Sequence, residues 1–161
     1  MANFTGANVI TAADITAYQT DAFDFGISSS ASTVTTWLAQ TTNDIFRDLR
    51  IKWWPMYKSN VYTDITVLNT AEMSNTKVDL DQFERAGVYL FLSRFYLPAL
   101  TKFRPEADKD RFERMIEFYS SAYVKEFQTI LEDGVSYDSD AGGSISTSER
   151  EPLHSYRRLT R

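Results

Sequence analysis

The chain contains no cysteine and one histidine, His154. The lack of thiols excludes disulfide scaffolds, cysteine-ligated zinc, iron–sulfur clusters and cysteine nucleophiles together. The single histidine stands near the C-terminus, a poor place for a rigid catalytic dyad. No apolar run approaches the roughly 18–20 residues needed to span a bilayer, so no membrane partner is expected. The opening MANFTGANVITAAD has neither a basic stretch nor a continuous apolar stretch, so no signal peptide is expected. Serines occur in SSSAS and STSE but in no nucleophile elbow. There is no Gly-rich nucleotide fingerprint and no repeat of solenoid period. Glu113 and Glu117 lie one helical turn apart with Arg114 between them, as on a solvated face. Enzymatic activity is not expected.

What is present suffices for a core. The 161 residues are 43% hydrophobic and 14% aromatic, enough for one packed domain. The formal net charge of −5 is uneven. Residues 152–161 hold Arg157, Arg158 and Arg161 and no acid, leaving 14 basic against 22 acidic residues elsewhere. An acidic body with a short basic end points to a tail that docks on a negative surface, or to a solvated terminus.

Periodicity predicts an all-α fold, a four-helix bundle-like domain. VITAADITAY begins a short helix with Thr11 as cap and Asp14 in its first turn. The irregular QTDAFDFGISSSAS follows, with Ser32 or Thr33 capping the next helix. In TVTTWLAQTTNDIFRDLRIKWW, Val34, Leu38, Ile45 and Leu49 recur at helical spacing. Pro55 is expected to end this helix at Trp54. Residues 56–78 lack a helical period and read as a long extended loop or hairpin, offered to a neighbouring subunit or wandering over the surface. A third helix starts at an Asp79 or Asp81 cap and is apolar nearly all round, from Leu80 to Tyr96, with Pro98 kinking or ending it. The fourth runs from Asp108 to Glu132, burying Phe112, Met115, Ile116, Tyr119, Tyr123, Phe127 and Ile130, and stops at Gly134. These limits divide the chain into a helical domain, 1–134, and a polar, extended C-terminal arm, 135–161.

The arm contains YDSDAGGSISTSER. Asp138, Asp140, Gly143, Ile145 and Glu149 occupy positions 1, 3, 6, 8 and 12 of an EF-hand loop. On that reading Asp138, Asp140 and Glu149 supply carboxylates and Ser144 a carbonyl to Ca2+, in a low-affinity structural site. Gly142 leaves position 5 without a side-chain ligand, Pro152 shortens any exit helix, and no second loop is present to pair with. On the other reading the stretch is a Gly/Ser/Asp turn in which Ser146 and Glu149 spell a helix capping box, and there is no cofactor.

The order of elements carries a resemblance: a short ITAADITAY helix, a longer helix ending in Trp53-Trp54, an extended stretch, the apolar FERAGVYLFLSRFY helix, the RFERMIEFYSSAYVKEFQTIL helix, and an Arg-ended tail. This pattern, over residues 8–161, resembles the head-to-tail adaptor, or head-completion, proteins of tailed bacteriophages. QTDAFDFGISSSAS departs from the tight first loop of that pattern. The resemblance implies a virion protein of the neck, made in the host cytoplasm. It implies a homo-oligomeric ring, of twelve subunits, that joins the portal protein to a downstream neck or tail protein. DNA would pass through the ring without sequence recognition. Tyr156, Arg157, Arg158, Leu159 and Arg161 would bind the partner, arginine through planar bonds to carboxylates and Tyr and Leu as apolar anchors. The alternative is a calcium-binding helical protein-interaction module.

Overall fold

A computed structural model describes residues 8–101, 106–146 and 149–151. It is an all-α fold. Seven helices are described: α1 (Ala12–Tyr18), α2 (Ser32–Lys52), α3 (Trp54–Val61), α4 (Ile65–Thr70), α5 (Glu84–Phe91), α6 (Leu97–Thr101) and α7 (Glu106–Asp133). A two-stranded antiparallel pair follows, β1 (Val135–Ser136) with β2 (Arg150–Glu151). No helix among the described residues is long and apolar enough to cross a membrane.

The start of α1 matches its sequence signal. Thr11 Oγ1 accepts the Asp14 N–H at 3.4 Å and the Asp14 carboxylate accepts the Thr11 N–H at 2.7 Å, a reciprocal capping box. At α2 the expected cap is displaced. Ala31 stands at the cap and Ser32 is already helical, so the first turn is held by backbone bonds from Val34 and Thr35 to the Ala31 carbonyl. The stripe of Val34, Leu38, Ile45 and Leu49 is buried as its spacing predicts. Thr41 and Thr42 share that burial, and their hydroxyls donate to the Trp37 and Leu38 carbonyls. Thr42 Oγ1 also accepts the Val9 N–H at 2.9 Å.

Residues 56–78 are not an extended loop or hairpin. Pro55 lies in the first turn of α3, where its missing N–H is no loss, so it ends one helix and starts another. Asp64 caps α4 by accepting the Thr66 N–H at 2.8 Å. The indole N–H of Trp54 donates to the Ala71 carbonyl at 3.2 Å and ties the returning chain down. The period is missing because α4 buries no side chain and α3 buries only Trp54 and Tyr57.

α5 is central, packed against α1, α2 and α7. Asp79 accepts the Asp81 N–H at 3.3 Å at its approach, and a short 3₁₀ turn, Asp81–Phe83, leads in. Gly87 lets the N-terminal segment close on α5, since a Cβ there would lie 2.9 Å from the Val9 and Ile10 side chains. The helix then widens into a π-turn, Leu92–Tyr96, before α6 carries Pro98 in its first turn. The widening falls where proline withholds a bond from the preceding turn. Tyr96 reaches from it to donate its hydroxyl proton to the Ala22 carbonyl. On α7, Phe112, Tyr123, Phe127 and Ile130 are buried, and Tyr123 donates to Asp48 of α2 at 2.7 Å.

Gly134, at φ 102°, ends α7 as expected, but the chain does not leave the body there. Val135, Ser136, Tyr137 and Asp138 are all buried. Tyr137 bridges to Val78, and its ring sits 5.2–5.6 Å from those of Trp53, Trp54 and Tyr57. Its hydroxyl accepts the Ser74 N–H at 3.2 Å. A polar composition had concealed this one inserted aromatic, so the boundary at residue 134 does not mark the end of the core.

Tyr137→Ala should lower the unfolding free energy by about 3–5 kcal/mol, read by urea titration, because it empties an aromatic seat. Tyr137→Phe should cost only about 1 kcal/mol, the loss of one hydrogen-bond acceptor.

Candidate metal centre

The EF-hand-like spelling becomes a compact loop. Asp138, Asp140 and Glu149 each bring a carboxylate oxygen within 4.8 Å of the others. Three features build it. β1 and β2 hold its ends together, with Tyr137 N–H donating to the Glu149 carbonyl at 3.1 Å. Asp138 N–H donates to the Lys77 carbonyl at 2.8 Å, and Lys77 Nζ returns a bond to the Ser139 carbonyl at 2.8 Å. Gly143, at φ 74°, and Ala141, at φ 60°, take the left-handed backbone that the tight reversal needs.

The lone pairs decide what the loop can do. Glu149 Oε1 accepts the Ser139 N–H at 2.8 Å, the Ser139 hydroxyl at 2.9 Å and the Asp140 N–H at 3.4 Å. Its Oε2 accepts both the N–H and the hydroxyl of Ser146 at 2.9 Å. Each oxygen therefore already has at least two donors, as many as a carboxylate oxygen accommodates well. Asp138 spends one lone pair per oxygen, on the Gly142 and Gly143 N–H groups at 2.9 and 2.8 Å. Asp140 Oδ1 also accepts from Gly142, at 2.8 Å. A cation entering here could take Asp138 and Asp140 as they stand, but a two-oxygen clamp by Glu149 would displace its hydrogen bonds. Ser144 is exposed. The arrangement favours Glu149 as a staple: it closes the loop from its Ser139 side to its Ser146 side. The Ser146–Glu149 half of a capping box is in place, with Glu149 in a short helical turn.

The electrostatics agree. Bonds from Ser146, and then from Ser139, hold the Glu149 carboxyl down at about 2, well below the usual carboxylate range. The depressed group favours the folded state above its unfolded value, near 4.3, and that contribution is lost as pH falls from there towards 2.

The other sites read from the sequence fall elsewhere. Tyr156, Arg157, Arg158, Leu159 and Arg161, and His154, lie outside the described residues. Glu113 and Glu117 are exposed, as their spacing suggested. A groove of about 720 Å³ beside α3 is lined by Arg50, Lys58 and Glu72 around Trp54 and Met73. Arg50 is already engaged there with the Asn75 side chain at 2.6 Å. The sequence reading missed two features. One is Lys77, which braces the loop from outside it. The other is a surface ladder of aromatic rings, Tyr18, Tyr89, Tyr119 and Phe118, drawn from three helices. No spacing rule joins residues from three helices. No family model, curated protein or solved structure matches the chain.

Glu149→Gln should lower the melting temperature at pH 7 and flatten the acid limb of stability between pH 4.3 and 2, measured by circular dichroism. Millimolar Ca2+ should leave the wild-type melting temperature unchanged. A rise abolished by Asp138→Ala would restore the calcium-module reading.

Proposed function

We propose that this chain is a structural connector of a phage-like virion. Copies form a ring that joins a portal to the tail and prolongs the DNA channel. One observation supports this above the others. α4 buries no side chain, yet it presents Ile65 at 71% and Val67 at 41% exposure beside Val61 at 42%. Isolated apolar residues are ordinary on a surface. A short helix that turns Ile65 and Val67 to solvent, with Leu68 half-buried, is instead suited to a second surface. A neighbouring subunit is the partner this reading supplies.

The chemistry is compatible with that role. An acidic chain suits a conduit, since a negative wall does not grip passing phosphate. The Arg-bearing end would latch onto carboxylates of the portal or the next neck component. The four helices named in the resemblance are present, while two further short helices, α3 and α4, stand where an extended stretch was expected.

Light scattering of the chain, alone and mixed with a portal, tests the reading. The mixture should give a mass of portal plus ring. Ile65→Asp combined with Val67→Asp should weaken assembly about tenfold or more while preserving the helical dichroism. Deleting residues 152–161 should abolish docking on the portal with the helical content intact. A chain that stays monomeric in both arms would refute the connector.

A further inference from the structure

One face of α7 stays outside the core along most of its length. Arg111, Phe118, Lys125 and Glu132 recur at heptad spacing, with Arg114, Ser121 and Gln128 three residues further on, and all of them are exposed. That spacing places them on a single stripe about 32 Å long. Phe118 is 65% exposed, yet its ring is held in place. It meets Tyr119 edge-on at 5.3 Å, and Tyr119 rests against Tyr89 at 5.8 Å. An exposed aromatic with a rigid backing is a good anchor for a second surface, since little freedom is lost when it is covered.

The charges are sorted along the stripe. Arg111 and Arg114 stand in the first half of α7 and Glu132 in its last turn. Among the described residues none of these, nor Lys125, enters an ion pair. The acids are at the wrong end for their own helix. A helix C-terminus favours cations, but the last turn of α7 has Glu132 and Asp133 and no base. Asp133 shares a cleft with Arg150. Glu132 accepts the Gln128 side-chain amide at 3.0 Å. Off one edge of the stripe lie Glu113 and Glu117, both exposed. Off the other, Glu126 stands 3.8 Å from Arg85.

We propose that this stripe binds the same stripe of a second copy, antiparallel, across a two-fold axis near Ser121 and Ala122. The reversal answers the sorting of charge. Arg111 of one copy comes level with Glu132 of the other, with Arg114 within one turn, and the symmetry makes this contact twice. Lys125 comes level with Phe118 and Glu117 of the other copy, a cation beside a ring and a carboxylate. The two helix dipoles oppose one another. Ser121 and Ala122, at the crossing, are small enough to let the helices approach closely. A parallel pair would instead set Arg111 against Arg111 and Lys125 against Lys125. The contact does not rest on the connector reading. A two-fold contact closes on itself and cannot run round a channel, so in that reading the pair is a form of the chain that precedes the ring.

Sedimentation equilibrium of the full chain carrying Ile65→Asp and Val67→Asp isolates this contact from any made through α4. A monomer–dimer equilibrium should remain. Phe118→Ala should weaken it about tenfold or more, with the helical dichroism intact because the ring is exposed. Arg111→Glu with Arg114→Glu should weaken it about tenfold. Adding Glu132→Arg to that variant should restore the dimer to within about threefold of its starting affinity, a rescue that only the antiparallel register provides. The chain has no native cysteine, so single cysteines report the face directly. Ser121→Cys should oxidise to a linked dimer about tenfold faster than Ser120→Cys, which is also exposed but turned about 100° away. A chain monomeric at every concentration, an absent rescue, or equal oxidation rates would each overturn the proposal. If these tests fail while the chain without the α4 changes still assembles on a portal, the connector stands and the pair is lost.

Discussion

The seat of Tyr137 among Trp53, Trp54 and Tyr57 is the contact on which the rest of the structure depends. It joins the junction of α2 and α3 to the strand after α7, so it fastens the late chain to the early chain. Without it Pro55 would begin a helix with little to pack against, because α3 buries only Trp54 and Tyr57. A two-helix excursion this short has no stability of its own, since nucleation costs more than one or two turns return. The same insertion sets Asp138 next to Lys77 and so places the mouth of the carboxylate loop.

From that anchor the molecule divides its acidic groups by use. Glu149 has become a covalent-looking clasp made only of hydrogen bonds, with donors from Ser139 and Ser146 on its two oxygens. Asp44 and Asp48 are engaged by Arg47, Arg94 and Tyr123 around α2. Glu126, beside the aromatic ladder, stands 3.8 Å from Arg85.

How much of this was legible follows from where each signal lives. The capping box at Thr11 and Asp14 is local, and it was readable. So were α2 and α7, because a helix that buries one stripe writes its period into the sequence. α3 and α4 were not, because Trp54 and Tyr57 are buried by a residue far along the chain and α4 by nothing. The strand at Val135–Ser136 and the bridge at Tyr137 were hidden by the glycine before them and the Asp/Gly/Ser composition after them. In the loop, spacing was enough to bring Asp138, Asp140 and Glu149 together. Whether their lone pairs were free depended on donor positions that only coordinates supply.

α4 carries a dynamic consequence. Its amides are shielded by little more than its own ladder, the Asp64 cap and the Trp54–Ala71 tie. Such a segment opens without the rest of the protein and exchanges its hydrogens on a clock separate from that of α5 or α7. A companion that settles on Ile65 and Val67 would therefore silence a local fluctuation as well as cover oil-like surface, and part of its grip would be returned as lost freedom.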